Sequence, residues 1–183
     1  MKKLVNIALL FMLPAMFTSC EKIKGIFDVE IDTNLEGWLM IDVDEPVQKT
    51  TNGFDFYEEV PVSPLDDEDI AEYEKNIKKI KVSKVVATIK DVNKEGVVFE
   101  KGTKIIVKGS TVVTWELLEP WPIVVEDKIV LGDDVSVEIY KKVTKMLTDL
   151  ETLTVIADGT CNQTGVFVTL VVGIDVKVTA NPL

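Results

Sequence analysis

Five acidic side chains near the amino terminus have a spacing that could bind a metal ion. The segments FDVEID (27–32) and WLMIDVD (38–44) alternate with the period of a half-buried strand. The intervening TNLEG predicts a turn, so the two strands are expected to pair as an antiparallel hairpin with the acids on one face. Clustered carboxylate oxygens suit Ca²⁺; a solvated sheet face is the alternative. The acids are Asp28, Glu30, Asp32, Asp42 and Asp44.

The calcium hypothesis is weak because the sequence contains no D-x-D-x-D-G or other calcium-loop motif. No metal site is therefore assigned from the sequence.

Two tryptophans form the second group of side chains with binding chemistry. Trp115 and Trp121 lie close in sequence, and Pro120 and Pro122 predict a turn around Trp121. Exposed rings at such a turn could stack on sugar faces, which makes both residues candidate glycan contacts. The alternative is that both rings pack in the core, because large aromatic side chains dominate cores.

Catalytic signatures are absent from the sequence. It contains no histidine, which removes the commonest general base and the imidazole ligands of zinc sites. Neither a G-x-S-x-G elbow nor a phosphate-binding loop occurs. Carboxylate pairs could still act as acid and base in a hydrolase, but 31 acidic residues produce such pairs by chance. The sequence therefore predicts no enzyme, no catalytic residue and no cofactor.

The amino terminus has the pattern of an export signal. Lys2 and Lys3 precede an apolar run at 4–17, which is shorter than the roughly 20 residues of a spanning helix. Small polar residues then lead to Cys20, and the arrangement resembles the lipobox of bacterial lipoproteins. That resemblance implies acylation of Cys20, a cleaved signal peptide at 1–19 and a short lipidated tether at 20–26. An ordinary signal peptide with an incidental cysteine is the alternative.

Charge and the second cysteine restrict the function further. The net charge is −11 and arginine is absent, so we expect no binding to nucleic acid, which depends on neutralising phosphates. If Cys20 is acylated, Cys161 has no partner for an internal disulfide. Cys161 is then either a small buried hydrophobe in a strand or a reactive thiol, although no histidine exists to activate it.

The elements that would position these side chains are mostly strands. Alternating segments predict eight or nine short strands, with a bulge near Ser83 where the apolar side changes phase. Helical periodicity predicts one amphipathic helix at 63–77 and another at 133–153, the second capped by Asp133 or Asp134. We therefore expect a single, mainly β domain over 27–183. Its predicted architecture is an immunoglobulin-like antiparallel β-sandwich with two short helices in its connections.

Three passages carry a wider resemblance: DDEDIAEYEKNIKKIKVSKVVATIKDV, KKVTKMLTDL and GTCNQTGVFVTLVVGIDVKVTANPL. They resemble small β-sandwich lipoproteins of Bacteroidota-type bacteria, and the resemblance covers residues 20–183. It implies a lipid anchor in the outer membrane and transfers no functional residue. The charges after Cys20 are mixed, which leaves the periplasmic and the cell-surface side open.

The sequence thus predicts a lipid-anchored envelope protein that acts as a non-enzymatic binding or assembly module. Its expected partners are the membrane, through the lipid, and an envelope protein or a glycan. The first alternative is a carbohydrate-binding accessory lipoprotein using Trp115 and Trp121. The second is a hydrolase that uses carboxylates.

Overall fold

The computed structural model describes residues 28–44, 49–50, 53–132 and 137–181. Eleven strands lie in this part of the chain, together with two α-helices. The strands are β1 Val29–Val43, β2 Lys49–Thr50, β3 Gly53–Val62, β4 Ile77–Val92, β5 Val98–Phe99, β6 Lys104–Lys108, β7 Val112–Glu116, β8 Trp121–Pro122, β9 Lys128–Val130, β10 Leu153–Cys161 and β11 Val166–Ala180. The helices are α1 Glu68–Ala71 and α2 Val137–Thr148.

The strands form two antiparallel sheets, which confirms the predicted mainly β sandwich. Sheet A has the order β1-β11-β4-β9. Sheet B has the order β2-β3-β10-β5-β8, and β6 pairs with both β10 and β7. The two sheets bury one shared core, whose largest fully buried side chains include Phe99, Leu39 and Leu170. The turn after β10 carries the chain from sheet B into sheet A, where β11 lies between β1 and β4.

The predicted amino-terminal hairpin is wrong, because residues 29–43 form one continuous strand. All of β1 pairs with β11 without a register shift, from Val29 opposite Ala180 to Val43 opposite Val166. The presumed turn keeps the strand alternation, with Gly37 buried. Gly37 is also a close-packing position, since a Cβ there would lie 3.0 Å from the Val62 side chain of sheet B. A residue that looks like a turn signal is thus used for close packing between the sheets.

The predicted bulge at Ser83 is confirmed. Lys84 lies opposite Asp175 and Val82 lies opposite Val176, so Ser83 is the extra residue on β4. Its Oγ donates a hydrogen bond to the Asp175 carbonyl at 3.2 Å. The bulge lets both Val82 and Val85 point into the core despite their odd spacing.

The two predicted helices are shorter in the structure. In place of one helix at 63–77, α1 spans a single turn between two 3₁₀ turns, and Asp67 caps it by accepting from the Ile70 N–H at 3.0 Å. Helix α2 ends at Thr148 because Leu150 has a left-handed φ of 55°. The predicted caps Asp133 and Asp134 lie outside the described residues.

Cys161 is fully buried at the end of β10, as the hydrophobe interpretation predicts. This burial raises the pKa of its thiol. Cys20, the predicted signal peptide at 1–19 and the tether at 20–26 lie outside the described residues. In the part of the chain that is described, none of the helices is both long and apolar enough to cross a bilayer.

Candidate functional site

The five acidic residues share one exposed face, but they do not come together. They all lie on the solvent side of β1 or at its ends. Because β1 is one extended strand, Asp32 and Asp42 are separated by ten residues, or about 34 Å. Asp28, Glu30 and Asp32 therefore lie at one end and Asp42 and Asp44 at the other.

Nearby lysines pair with the first of these two acidic groups. Lys177 Nζ lies 3.0 Å from the Glu30 carboxylate and 3.8 Å from that of Asp32, and the neighbouring carboxylates raise its pKa. Lys78 pairs with Asp28 at 2.5 Å. Among the described residues, no group of three or more histidine, cysteine or acidic side chains could hold a metal ion.

At the other end of β1, Asp42 and Asp44 interact with each other. The pKa of Asp42 is raised, mainly by partial loss of hydration and further by the like charge of Asp44 and a hydrogen bond to it. The hairpin that would have joined this pair to Asp28, Glu30 and Asp32 does not exist. The five-residue calcium site is therefore wrong for the described fold.

Trp115 and Trp121 do not form an exposed platform. Their side chains are only 6% and 7% exposed, so the core-packing alternative describes both rings. Trp121 packs edge-on against Phe99, with the ring centroids 6.2 Å apart, and its Nε1 donates to Asp127 Oδ2 at 3.0 Å. Neither ring can stack on a ligand at the surface of this fold.

The exposed tryptophan is Trp38, which our sequence analysis did not single out. It lies in the middle of β1 with its side chain 47% exposed, next to the equally outward Met40. Its Nε1 donates to Glu36 Oε2 at 3.0 Å, which holds the indole along the strand. The sequence contained the signal for this residue, because the alternation that buries Leu39 and Ile41 places Trp38 on the opposite face.

A groove on the solvent side of sheet A, which we call the outer groove, includes Val171, the cross-strand partner of Trp38. The groove has a volume of about 300 Å³. Ten residues line it: Asn34, Glu36, Lys84, Val86, Thr88, Lys90, Lys128, Val171, Gly173 and Asp175.

The strand register explains the shape of the outer groove. Trp38, Val171, Thr88 and Lys128 are consecutive partners across all four strands of sheet A. Three strand spacings, or about 14 Å, separate the first of these residues from the last. Val171 and Thr88, which lie between them, have short side chains, and the next residue of β11 on the same face is Gly173. The middle of the groove, which we call its floor, is therefore lower than its two edges, which we call its rims.

The two rims of the outer groove carry opposite charges. Glu36 and Asp175 lie on the side of β1 and β11, and Lys84, Lys90 and Lys128 lie on the side of β4 and β9. Lys90 is paired with Glu126 at 3.2 Å. Lys84 and Lys128 form no ion pair with any residue that the structure describes, so both ammonium groups can take a ligand.

Asn34 adds an amide to the same surface. Its Nδ2 donates to Asp175 Oδ1 at 2.5 Å, and its side chain lies over Gly173, where a Cβ would come within 2.9 Å of Nδ2. The outer groove thus combines carboxylate and amide acceptors with ammonium donors around a small-residue floor, and the exposed indole of Trp38 lies on the same face beside Val171. These groups can bind a flat, polyhydroxylated ligand without any covalent chemistry.

A second groove, on the solvent side of sheet B, bears on the hydrolase alternative. It has a volume of about 520 Å³ and is lined in part by Asp55, Asp158 and Lys104. Asp158 on β10 lies opposite Lys104 on β6 and Tyr57 on β3. Asp55 lies opposite Thr160, which is two residues beyond Asp158 on β10. Two carboxylates therefore share one surface here; the sequence offered a carboxylate hydrolase only as an alternative and assigned no residues to it.

Comparison with known proteins does not identify the chain. A scan against protein-family models finds no match, and a search of curated proteins finds no significant match either. Functional interpretation therefore depends on the residues and on the geometry described above.

Proposed function

We propose that this protein is a lipid-anchored, non-enzymatic binding module of a bacterial outer membrane, and that the outer groove is its ligand-contact surface. The anchor is inferred from the short apolar leader and from the lipobox-like residues before Cys20. The contact surface is inferred from one observation above all. Trp38 is a large aromatic side chain kept half exposed on β1, and its cross-strand partner Val171 lines the polar groove.

A carbohydrate is the ligand class that these groups favour. An indole face binds the apolar C–H face of a sugar ring, and the hydroxyl groups around that ring need donors and acceptors at its rim. Glu36 and Asn34 supply acceptors on one side, and the Lys128 ammonium supplies donors about 14 Å across the sheet. A role as a carbohydrate-binding accessory lipoprotein therefore follows, with Trp38 in place of the two buried tryptophans.

The width of the groove suits a single saccharide chain lying across the sheet. The floor residues Val171 and Thr88 have short side chains, and the Asn34 amide covers Gly173 beside them. Exposed polar groups on both rims would replace part of the water that the hydroxyls lose on binding. The protein would bind its ligand in one face of a rigid sheet rather than in a mobile loop.

The test is titration of the purified protein with a panel of soluble oligosaccharides, followed by calorimetry and by tryptophan fluorescence. We expect at least one glycan to bind and the Trp38 emission to shift, because the other two indoles are buried. Trp38→Ala should weaken that binding about ten-fold or more, as truncation of a central aromatic contact commonly does. Lys128→Met should weaken it by a smaller factor.

Tyr57→Ala is the matched control, because Tyr57 is 59% exposed on the solvent side of the other sheet. This variant should bind the glycan as well as the wild type does. A panel without any binding partner, or equal affinities for the wild type and Trp38→Ala, would exclude the outer groove as a carbohydrate site.

A further inference from the structure

The two sheets leave a pocket between their edges, and none of its lining residues belongs to the outer groove. Strand β7 of sheet B and strand β9 of sheet A flank it, and the two strands share no ladder of hydrogen bonds. The pocket, which we call the inter-sheet pocket, has a volume of about 380 Å³. Its wall is mostly apolar and includes Ile105, Trp115, Leu117, Leu118, Ile129 and Leu131.

Trp115 gives this apolar pocket an unused hydrogen-bond donor. The residue is 6% exposed, and its Nε1–H is buried without a hydrogen-bond partner among the described groups. The other core indole, Trp121, has its donor satisfied by Asp127 at 3.0 Å. Leaving a buried donor unpaired is costly, so buried donors nearly always have a partner. The Trp115 indole N–H is therefore a donor that a ligand with an acceptor atom would satisfy.

Gly132 packs directly beside this donor. The residue has φ = 105°, and a Cβ at this position would lie 3.3 Å from Trp115 Nε1 and 3.1 Å from Tyr140 Oη. Tyr140 Oη donates to the Leu131 carbonyl at 2.6 Å, which fixes the phenol at the edge of the space. Glycine at residue 132 thus leaves no side chain against the indole N–H.

The apolar wall continues inward from the inter-sheet pocket. Ile105, Leu117, Ile129 and Leu131 also line a small enclosed cavity between the sheets. Thr103 lies in that cavity, 2% exposed, and its hydroxyl is the other buried side-chain atom without a partner in the described part of the chain. Both buried donors without a described partner thus belong to residues that line this apolar region.

The mouth and the charge of the inter-sheet pocket define its ligand. Leu118 at the rim is 73% exposed, which gives an apolar entrance. No lysine is among the described lining residues, and the ionisable side chain there is the carboxylate of Glu116. A ligand with a negative head group would be repelled, so the ligand should be uncharged, apolar and equipped with one acceptor.

We propose that the inter-sheet pocket binds an uncharged fatty acyl ester. The acyl chain lies between the aliphatic side chains of the two sheets, and the ester carbonyl accepts the hydrogen bond from Trp115 Nε1. A volume of about 380 Å³ is within the range of small-molecule pockets and accommodates one chain of moderate length. This binding is separate from carbohydrate recognition in the outer groove.

The experiment uses the chain from residue 20 onward with Cys20→Ser, so that no attached lipid competes. All described elements lie downstream of that point. Three probes of equal chain length are titrated: methyl decanoate, the decanoate anion and decane. The indole N–H signals are followed by ¹H–¹⁵N NMR, and the Trp115 signal is assigned by its loss in Trp115→Phe.

We expect methyl decanoate to bind saturably and to shift the Trp115 indole signal while the Trp121 signal stays in place. Trp115→Phe keeps an aromatic ring but removes the donor, so its affinity for the ester should fall about two- to ten-fold, to that for decane. Trp121→Phe, which removes an indole outside the pocket, should keep the wild-type preference for the ester over decane. Gly132→Ala should also weaken ester binding if the variant keeps the wild-type fold by circular dichroism.

Three results would overturn the proposal. The Trp115 signal could remain unchanged at saturating ester, the anion could bind more tightly than the ester, or Trp115→Phe could bind the ester as well as the wild type does. None of these results affects carbohydrate binding by Trp38, which the oligosaccharide panel tests independently.

Discussion

The three tryptophans of this chain have different environments because they occupy different positions in the fold. Trp38 and Trp121 each donate an indole hydrogen bond to a carboxylate, yet one is half exposed and the other is in the core. Trp115 is as buried as Trp121 but has no described acceptor. The alternation along β1 places Trp38 outward, whereas the difference between Trp115 and Trp121 depends on which acceptors the fold brings near each indole.

Cys161 gives a prediction about pH. Burial raises the pKa of its thiol in the folded protein above that in the unfolded chain, which is about 8.5. The resulting stabilisation is complete below the unfolded pKa and is lost as the pH rises from there through the folded pKa. We expect the free energy of unfolding, measured with urea, to fall more steeply between pH 8 and 10 in the wild type than in Cys161→Ala.

Cys161→Ala will also lower stability at neutral pH, because the substitution leaves a cavity. The informative quantity is therefore the difference between the slopes of the two pH curves, and not the difference in the free energy of unfolding at neutral pH. Parallel curves from pH 8 to 10 would show that the thiol ionises equally well in both states.

At the scale of single elements, the pairing register determines which side chains of the long strands face the core. Strand β1 pairs with β11 along its whole length without a shift, whereas β4 pairs with β11 through three irregularities. These bulges restore the apolar face of β4 each time the sequence changes phase. An unbroken β1 together with a bulged β4 is what aligns Trp38 with Lys128 across the sheet.

Deleting Ser83 should therefore be far more damaging than changing its side chain. The deletion shifts Ile80 and Val82 by one residue and turns both away from the core, since side chains alternate along a strand. Ser83→Ala removes only the exposed hydrogen bond to the Asp175 carbonyl and should cost less than about 1 kcal/mol. Urea denaturation compares the two variants, and similar midpoints would contradict the bulge as a register device.

The single turn of α1 depends on its cap. Asp67 accepts from the Ile70 N–H at 3.0 Å and from Thr33 Oγ1 of β1 at 2.7 Å, so it connects the helix to sheet A. Asp67→Ala should lower the free energy of unfolding by about 1 to 2 kcal/mol. The control is Asp69→Ala, an exposed residue of the same turn, which should change it by less than about 0.5 kcal/mol.

A thermal melt of each variant provides a second measurement of the cap. If Asp67→Ala and Asp69→Ala melt alike, the connection between α1 and β1 contributes nothing measurable.

At the scale of the whole molecule, membrane attachment through Cys20 can be tested separately from ligand binding by the sandwich. If Cys20 carries the lipid, Cys20→Ser should move the protein from the membrane fraction to the soluble fraction or leave it as an unprocessed precursor without acyl groups. Mass spectrometry of the amino-terminal peptide and fractionation with an alkaline wash distinguish these states. Cys161→Ala is the matched control, because that thiol is buried in the core and should not affect anchoring.

Full membrane retention of Cys20→Ser, together with a free Cys20 thiol in the wild type, would refute the lipoprotein proposal. Protease treatment of intact cells would then show whether the domain faces the periplasm or the cell surface. Both orientations leave the outer groove and the inter-sheet pocket on the surface of the same rigid sandwich.

The sequence by itself determined the fold class and many strand faces. Alternation of apolar and polar residues is a local property, and it correctly predicted the outward side of β1 and the bulge at Ser83. It also predicted a short capped helix before β4, although the helical segment proved to be broken into single turns. The proposed anchor at Cys20 likewise depends on a local pattern and stays a prediction.

Only the tertiary structure decided which of these residues form sites. The TNLEG segment continues a strand because Gly37 packs against sheet B, and this contact separates the acidic residues into two distant groups. Strand order then aligned Trp38 on β1 with Lys128 on β9, at opposite edges of sheet A, and buried Trp115 at the edge between the sheets. The outer groove is assembled from strands far apart in sequence, and the inter-sheet pocket joins the edges of two different sheets. Neighbours in a sandwich are set by long-range pairing and core packing, which no local pattern encodes.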